Sequence, residues 1–593
     1  MQTFGERAKN KRMTAQNDLQ SVLALLQSGR HKPALKAAKS AMRRYKTHPA
    51  FPNFAGIAMG ATGHPGEAVG YFKKALSLDP GYHDARKNLA QTLVVLGRSE
   101  PAVRLLDKLV SALPNDESAW YLLAQAHMGL GQLPEALTAA TKSIALNPGQ
   151  ARSYNLRAVV YDRSGQTNEA LEDYETALKI DPDDVETLVN ISLPLARQTR
   201  QADALQAVSR AVALNPAHSG ARLRLAAQLT ESGQTDEAIA QYHHLLDIAP
   251  THAEALEMLS ALQSRDQNQS LEPIVRAALK HVAKKSEARA SLYFALSRIT
   301  GQNGDTIAAA DMLATANREM AAILPYDAAT DTDLHRKITN RVYAAASPPK
   351  AGANTPTPIF VVGLPRSGTT LTEAILGAHP LVKPLGERIA AGALLGPVIN
   401  GDQPFADPDI ARFVENDTQR LPDIPPDCVA YVDKMPDNYR LIGFLKRAYP
   451  NCRIINVRRD PRDVAVSMWR AHFSGSALAY AYDLGAMAHR FNLYEQTMAH
   501  WRATFPNQIY DLSYEALVGD VAQASKAMAD YCGLDWDATM ARPDLNADQI
   551  LTLSAGQLRQ PVHSRSVGGW RQHSDMLAPF IERLDPGLWT ELQ

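Results

Sequence analysis

Cysteine is scarce in this chain: Cys428, Cys452 and Cys532 are the whole complement of 593 residues. Three isolated thiols give neither an even disulfide framework nor a metal-binding spacing. A stapled scaffold is excluded, no metal site is expected, and a reducing compartment is the default. No stretch of ~18 apolar residues exists to span a bilayer. The opening MQTFGERAKNKRM is charged and has no apolar core of signal-peptide type behind it. A cytoplasmic location is therefore expected. Net charge is lacking too, with 62 Lys and Arg against 62 Asp and Glu. That balance argues against a broad nucleic-acid or membrane surface, so any anion site has to be built locally.

What the N-terminal half has in quantity is a period. Alanine recurs every 34 residues at positions 34, 68, 102, 136, 170, 204 and 238. Five residues before each stands Gly29, Gly63, Gly97, Gly131, Gly165, Thr199 or Gly233, and from the second repeat onward Pro80, Pro114, Pro148, Pro182, Pro216 and Pro250 follow. Small alanines let two helices approach, glycine makes the turn between them, and proline ends the second helix. The pattern resembles the tetratricopeptide repeat. About seven repeats are expected over 1–250, stacked as a solenoid with a concave groove for a peptide or protein; a spacer or dimerisation element is the alternative. Residues 251–346 keep apolar helical periodicity but lose the phase, as capping helices would. A proline-rich linker is expected at 347–356, and a second domain at 357–593.

That second domain opens on Thr357–Leu371, TPIFVVGLPRSGTTL. A β-branched apolar run, a Gly-bounded loop and an apolar-periodic helix start are the grammar of a phosphate loop. Gly363 and Gly368 let backbone N–H groups approach an anion. Thr369 occupies the place where a nucleotide triphosphatase has its lysine, and the loop carries Arg366 instead, which disfavours a kinase. A second apolar run, Arg453–Val457, leads into RRDPRDVAVS, placing Arg459 and Ser467 eight residues apart across a strand–helix turn. Guanidinium and hydroxyl can pinch one phosphate there. Two such strands imply a parallel sheet with the ligand at their carboxyl ends. A further strand is expected at Gln508–Leu512, ahead of Tyr514. Between the phosphate motifs, Glu387 and Lys434 supply a carboxylate and an ammonium suited to proton removal and charge neutralisation. The tail, with Ser554, Gln557 and Arg565 ahead of Trp570, reads as a donor-rich loop.

These motifs resemble the sulfotransferases that use 3′-phosphoadenosine 5′-phosphosulfate (PAPS), closest to the tyrosylprotein sulfotransferase branch. The whole chain is similar to bacterial proteins that join tetratricopeptide repeats to such a domain. The resemblance implies an all-α repeat solenoid followed by a P-loop-like α/β domain with a parallel central sheet. It implies that Arg366, Ser367, Gly368, Thr369 and Thr370 hold the 5′-phosphosulfate, and Arg459 and Ser467 the 3′-phosphate. Tyr514, Gln557 and Arg565 would add nucleotide contacts. Glu387 would be the base, with Asp433 and His563 next in line, while Lys434, Arg366 and Ser554 stabilise the transferring group in a metal-free, in-line displacement. Two departures stand out: Gly569 and Ala471 replace basic residues of that branch, leaving Arg470, Arg565 and Arg571 to compensate. The hydroxyl acceptor stays open between protein tyrosine, carbohydrate and small molecule, as does the oligomeric state. A repeat scaffold with a nucleotide-binding but inactive domain is the alternative function.

Overall fold

A computed structural model describes residues 4–198, 200–341, 356–400, 407–473, 475–545 and 561–592. Among these, nineteen α-helices precede a C-terminal domain built on a five-stranded sheet. The chain divides into two compact units, Met1–Pro182 and Asp183–Gln593.

In the first unit, helices of 12 to 14 residues succeed one another from His31 to Ile180. The phased residues take the positions their chemistry suits. Gly63, Gly97, Gly131 and Gly165 have φ between 69° and 85°, the left-handed conformation that ends a helix and turns the chain. Ala34, Ala68, Ala102, Ala136 and Ala170 are fully buried where helices meet. In the second unit, Gly233, Ala204 and Ala238 continue the pattern. Thr199, the turn position without glycine, lies outside the described residues.

The second unit ends its helical part with Ala253–Leu262, Arg265–Ala278, Glu287–Gln302, Thr306–Ile323 and Ala328–Thr339. The strands are β1 (Thr357–Gly363), β2 (Val382–Pro384), β3 (Ala430–Lys434), β4 (Arg453–Arg458) and β5 (Ile509–Ser513). All pairings are parallel, in the order β2-β3-β1-β4-β5. Both faces of the sheet are covered, so alternate residues of one strand enter different cores. Ile359 and Val361 pack with Leu371, Ile375, Met528 and Val457, whereas Phe360 and Val362 pack with Phe444, Tyr494 and Trp501.

The second of these cores also takes in Phe294, Leu313, Met320 and Ile338 from the three last helices. Polar contacts reinforce the junction. Asn317 donates to the Trp469 carbonyl at 3.0 Å, and buried Arg490 holds both oxygens of Asp331 at 2.8 and 2.9 Å. The helices before β1 are thus part of the sheet's packing. The linker expected at 347–356 lies, save residue 356, outside the described residues.

Candidate active site

The site begins where β1 ends. Gly363 has φ 150°, and a Cβ there would sit 2.7 Å from the Val457 carbonyl of β4, so the loop can leave the sheet only through glycine. Arg366 holds φ 69°, an uncommon conformation for a side-chain-bearing residue, and Gly368 φ 110°. A Cβ on Gly368 would meet the Tyr514 ring at 2.4 Å. The helix Thr369–Gly377 then starts at the loop, with no side chain capping its first turn.

Arg459 and Ser467 reach the same place from β4. Asp460 caps the helix Pro461–Trp469 by accepting from the Arg462 N–H at 2.9 Å. Ser467 accepts from Arg366 Nε at 3.0 Å, across 101 residues of sequence. Arg459 donates to the Arg366 carbonyl at 3.1 Å and to the Ser566 carbonyl at 2.7 Å. Its guanidinium lies 4.5 Å from the centre of the Tyr514 ring, whose hydroxyl bonds Ser566 at 3.0 Å. Burial lowers the Arg366 pKa, and the charge of Arg459 adds to the effect. Two guanidiniums held this close favour an anion beside them.

A cavity of about 720 Å³ opens here. Its wall includes Arg298, Arg366, Arg459, Arg470 and Arg565 with His563 and His573, against one carboxylate among the described residues, Asp463. Asp463 is itself committed, accepting from the N–H groups of Gly568 at 2.6 Å and Trp570 at 2.8 Å. It thereby ties the segment from residue 561 onward down beside the cavity. Ser367 Oγ, Arg459 Nε and His563 Nδ1 are buried without a partner among the described residues. In a chain of zero net charge, cationic side chains are concentrated on this cavity.

Glu387 and Lys434 form a second cluster, at the carboxyl end of β3. Lys434, opposite Val361 in the register, is fully buried and donates to Glu387 Oε1 at 2.5 Å. The Glu387 side chain is about half exposed at 45%. A third member, Glu373, comes from the phosphate-loop helix. It lies 4.0 Å from Lys434 Nζ and accepts from the Gly386 N–H at 2.7 Å, fixing the turn that carries Glu387. Burial pushes the Glu373 carboxyl up to about 7, opposed by Lys434 and the Gly386 N–H and aided by Glu387.

The structure thus brings Arg366, Ser467, Arg459, Tyr514 and the loop 367–370 together. Glu387 and Lys434 pair with each other but are not among the residues lining the cavity. Arg565 is exposed on the cavity wall, and Arg571 lies outside that wall, 5.2 Å from the Trp570 ring. Ser554 and Gln557 lie outside the described residues. Asp433 is fully buried and bound to Arg388 at 3.2 Å, which also holds Asp417 at 2.8 Å. Sequence reasoning missed Glu373, Asp463 and Arg298. Each looks like an ordinary solvated charge on an amphipathic helix, and only tertiary packing turns it inward. Among the described residues no group of three or more His, Cys, Asp or Glu is arranged to hold a metal, and no helix is long and apolar enough to cross a membrane.

Comparison with known proteins adds a likeness for each half of the chain. The sulfotransferase family model matches residues 358–403 and 401–538, and tetratricopeptide repeat models match 61–126, 117–150 and 151–184. An uncharacterized protein of Aquifex aeolicus (strain VF5) is 29% identical over 336 residues, 53% of this chain. The chain spans only 44% of that relative's length. A Caenorhabditis briggsae protein described as a "Putative protein-tyrosine sulfotransferase" is 26% identical over 252 residues, 38% of this chain and 88% of that protein. Among solved structures, a thermophilic TPR protein of Thermus thermophilus aligns over 31% of this chain and 99% of its own, at 24% identity and a TM-score of 0.29.

Proposed function

Starting from a chain that carries a sulfotransferase-family domain and tetratricopeptide repeats, we propose that it moves a sulfuryl group from PAPS to a hydroxyl acceptor. The observation that carries this reading is the meeting of Arg366 and Ser467 at 3.0 Å on the wall of a cationic cavity. A kinase would need a lysine in the phosphate loop, and Thr369 stands there. A doubly phosphorylated nucleotide fits the donor set, because Ser367 Oγ, Arg459 Nε and His563 Nδ1 are buried polar atoms without a partner among the described residues.

When bound, the donor supplies the activated sulfuryl group; the remaining work falls to the protein. Arg366, Ser367 and the N–H groups around Gly368, Thr369 and Thr370 hold the 5′ end. Arg459 and Ser467 hold the 3′-phosphate, with Tyr514 and Arg565 beside it. Glu387, half exposed, takes the proton of the acceptor hydroxyl. Lys434 and Arg366 offset the charge that grows on the leaving phosphate as the displacement proceeds in line. Ser554 and Gln557 are further candidates for that pocket. We take the acceptor to be a tyrosine hydroxyl of a protein or peptide, the class named for the C. briggsae relative, docked by the repeats in the cytoplasm.

Radiolabelled PAPS incubated with the protein and a tyrosine-containing protein mixture tests this directly. Label is expected on protein, in the form of sulfated tyrosine. Calorimetry is expected to show much tighter binding of 3′-phosphoadenosine 5′-phosphate (PAP) than of AMP. No transfer together with equal affinities would overturn the reading.

A further inference from the structure

Part of the cavity wall lies outside the sulfotransferase match, after residue 538 and, on the N-terminal side, at Arg298. Arg298 belongs to the helix Glu287–Gln302, about sixty residues before the matched segment begins at 358. Arg298 nevertheless lines the same cavity as Arg366, Arg459 and Ser467. The helix Ala253–Leu262 anchors it from behind, where Arg298 Nη1 donates to the Glu257 carbonyl at 3.2 Å and to Ser260 Oγ at 2.5 Å. Its other nitrogens make no hydrogen bond to the described residues.

Facing it is Arg470, the residue that ends the helix carrying Ser467. At a separation of three, Ser467 and Arg470 lie on one side of that helix, within reach of a single ligand. The Arg470 side chain has no carboxylate or hydrogen-bond partner among the described residues, and its charge adds to burial in lowering the His573 pKa. Burial lowers the Arg298 pKa, the carboxylate of Glu257 opposes the shift, and Arg470 adds to it. Two like charges converging on a cavity from separate elements repel each other unless an anion lies between them. The position one turn from Ser467 selects which anion.

We propose that Arg298 and Arg470 complete the pocket for the nucleotide's 3′-phosphate, so that a helix outside the sulfotransferase segment is part of the donor site. This rests on the sulfuryl-transfer reading, and it makes the helical region a participant in nucleotide binding. An acidic side chain of the acceptor would satisfy the same cations, and the acceptor KM separates that outcome from this one.

The test measures PAP and AMP affinity by calorimetry for the full chain and for Arg298→Gln and Arg470→Ala. Gln keeps hydrogen-bonding capacity toward Ser260 and the Glu257 carbonyl, and Arg470→Ala removes a side chain with no other partner among the described residues. Thermal unfolding of each variant shows whether it is folded. For each, PAP affinity is expected to fall about 10- to 100-fold while AMP affinity holds. If the wild type does not prefer PAP, the functional reading itself is wrong. A wild type that prefers PAP, with both variants keeping that preference or losing PAP and AMP alike, overturns this inference alone. A rise only in the acceptor KM would move the two arginines to acceptor binding and overturn it as well. Should Arg298→Gln fail to fold, the Arg470→Ala result decides whether the subsite exists, and Arg298→Lys, which keeps the charge, reads the helix's share.

Discussion

The first unit and the sheet domain bury opposite kinds of side chain. Between Met1 and Pro182 the described core is mostly alanine and leucine, and the buried charge is Asp173, paired with Arg157 at 2.7 Å. The sheet domain buries Glu373, Arg388, Asp417, Asp433, Lys434 and Asp463. Small apolar residues pack the same way in every repeat, so they build length without marking any one place. Buried charges need partners from distant parts of the chain, and each such set exists once. Chemistry collects where the core is polar.

The sharpest way to probe that contrast is at Glu387. Glu387→Gln keeps the volume and removes the basic oxygen, so turnover should fall by ~10²–10⁴-fold with PAP binding preserved. Steady-state kinetics beside calorimetry separates the two. If binding falls in step with turnover, Glu387 belongs to the fold and His563, on the cavity wall, inherits the role.

Next comes the energy of ion pairs in the two regions. Arg388→Met leaves Asp417 and Asp433 buried without their cation and should cost about 3–5 kcal/mol in denaturant unfolding. Arg104→Met breaks a pair with Glu100 whose side chains are mostly exposed, and should cost no more than about 0.5 kcal/mol. Equal losses would erase the distinction drawn here.

Acid–base behaviour should differ as well. Burial pushes Glu373 and Asp433 up to about 7, from ordinary values of 4.5 and 3.8. Between those limits the folded protein retains protons that the unfolded chain has released. Stability therefore declines as pH rises through that window and levels off above about 7. Glu373→Gln imitates the protonated form and should flatten part of the slope. Denaturant midpoints followed from about pH 5 to 7.5 check it, and parallel slopes for the two proteins would count against the assignment.

The smallest difference concerns two glycines with the same backbone need. Gly131, at φ 71°, has open space where a Cβ would go, so Gly131→Ala should cost only the left-handed penalty of about 1–2 kcal/mol. Gly368→Ala adds a clash with Tyr514 and should also abolish PAP binding. Loss of binding in Gly131→Ala would mean the repeats matter to the site in a way their packing does not explain.

The repeats and the sheet were legible in the sequence for a local reason. Each phased Ala, Gly and Pro reports its own backbone or packing need, and strands such as Phe360–Val362 and Ile454–Val457 are β-branched runs too short for a buried helix. The three-residue β2 carries no such signal, and its pairing with β3 is decided by the neighbour. The contact of Arg366 with Ser467 could be anticipated from motif order but not measured. Glu373 was invisible because TTLTEAILG gives no sign that its glutamate turns toward Lys434. Arg298 was hidden by the assumption that helices before β1 only cap the repeats, whereas Phe294 and Met320 place their helices in the sheet's core.

That shared core has a consequence for how the chain is made. On the ribosome the helices carrying Phe294, Leu313, Met320 and Ile338 emerge before any strand does. Their apolar faces wait for Tyr494 and Trp501, roughly 160 to 200 residues later, which at ordinary elongation rates is roughly ten to forty seconds. During that interval the nascent chain shows water a surface that the finished protein hides, and a holding chaperone would find its target there.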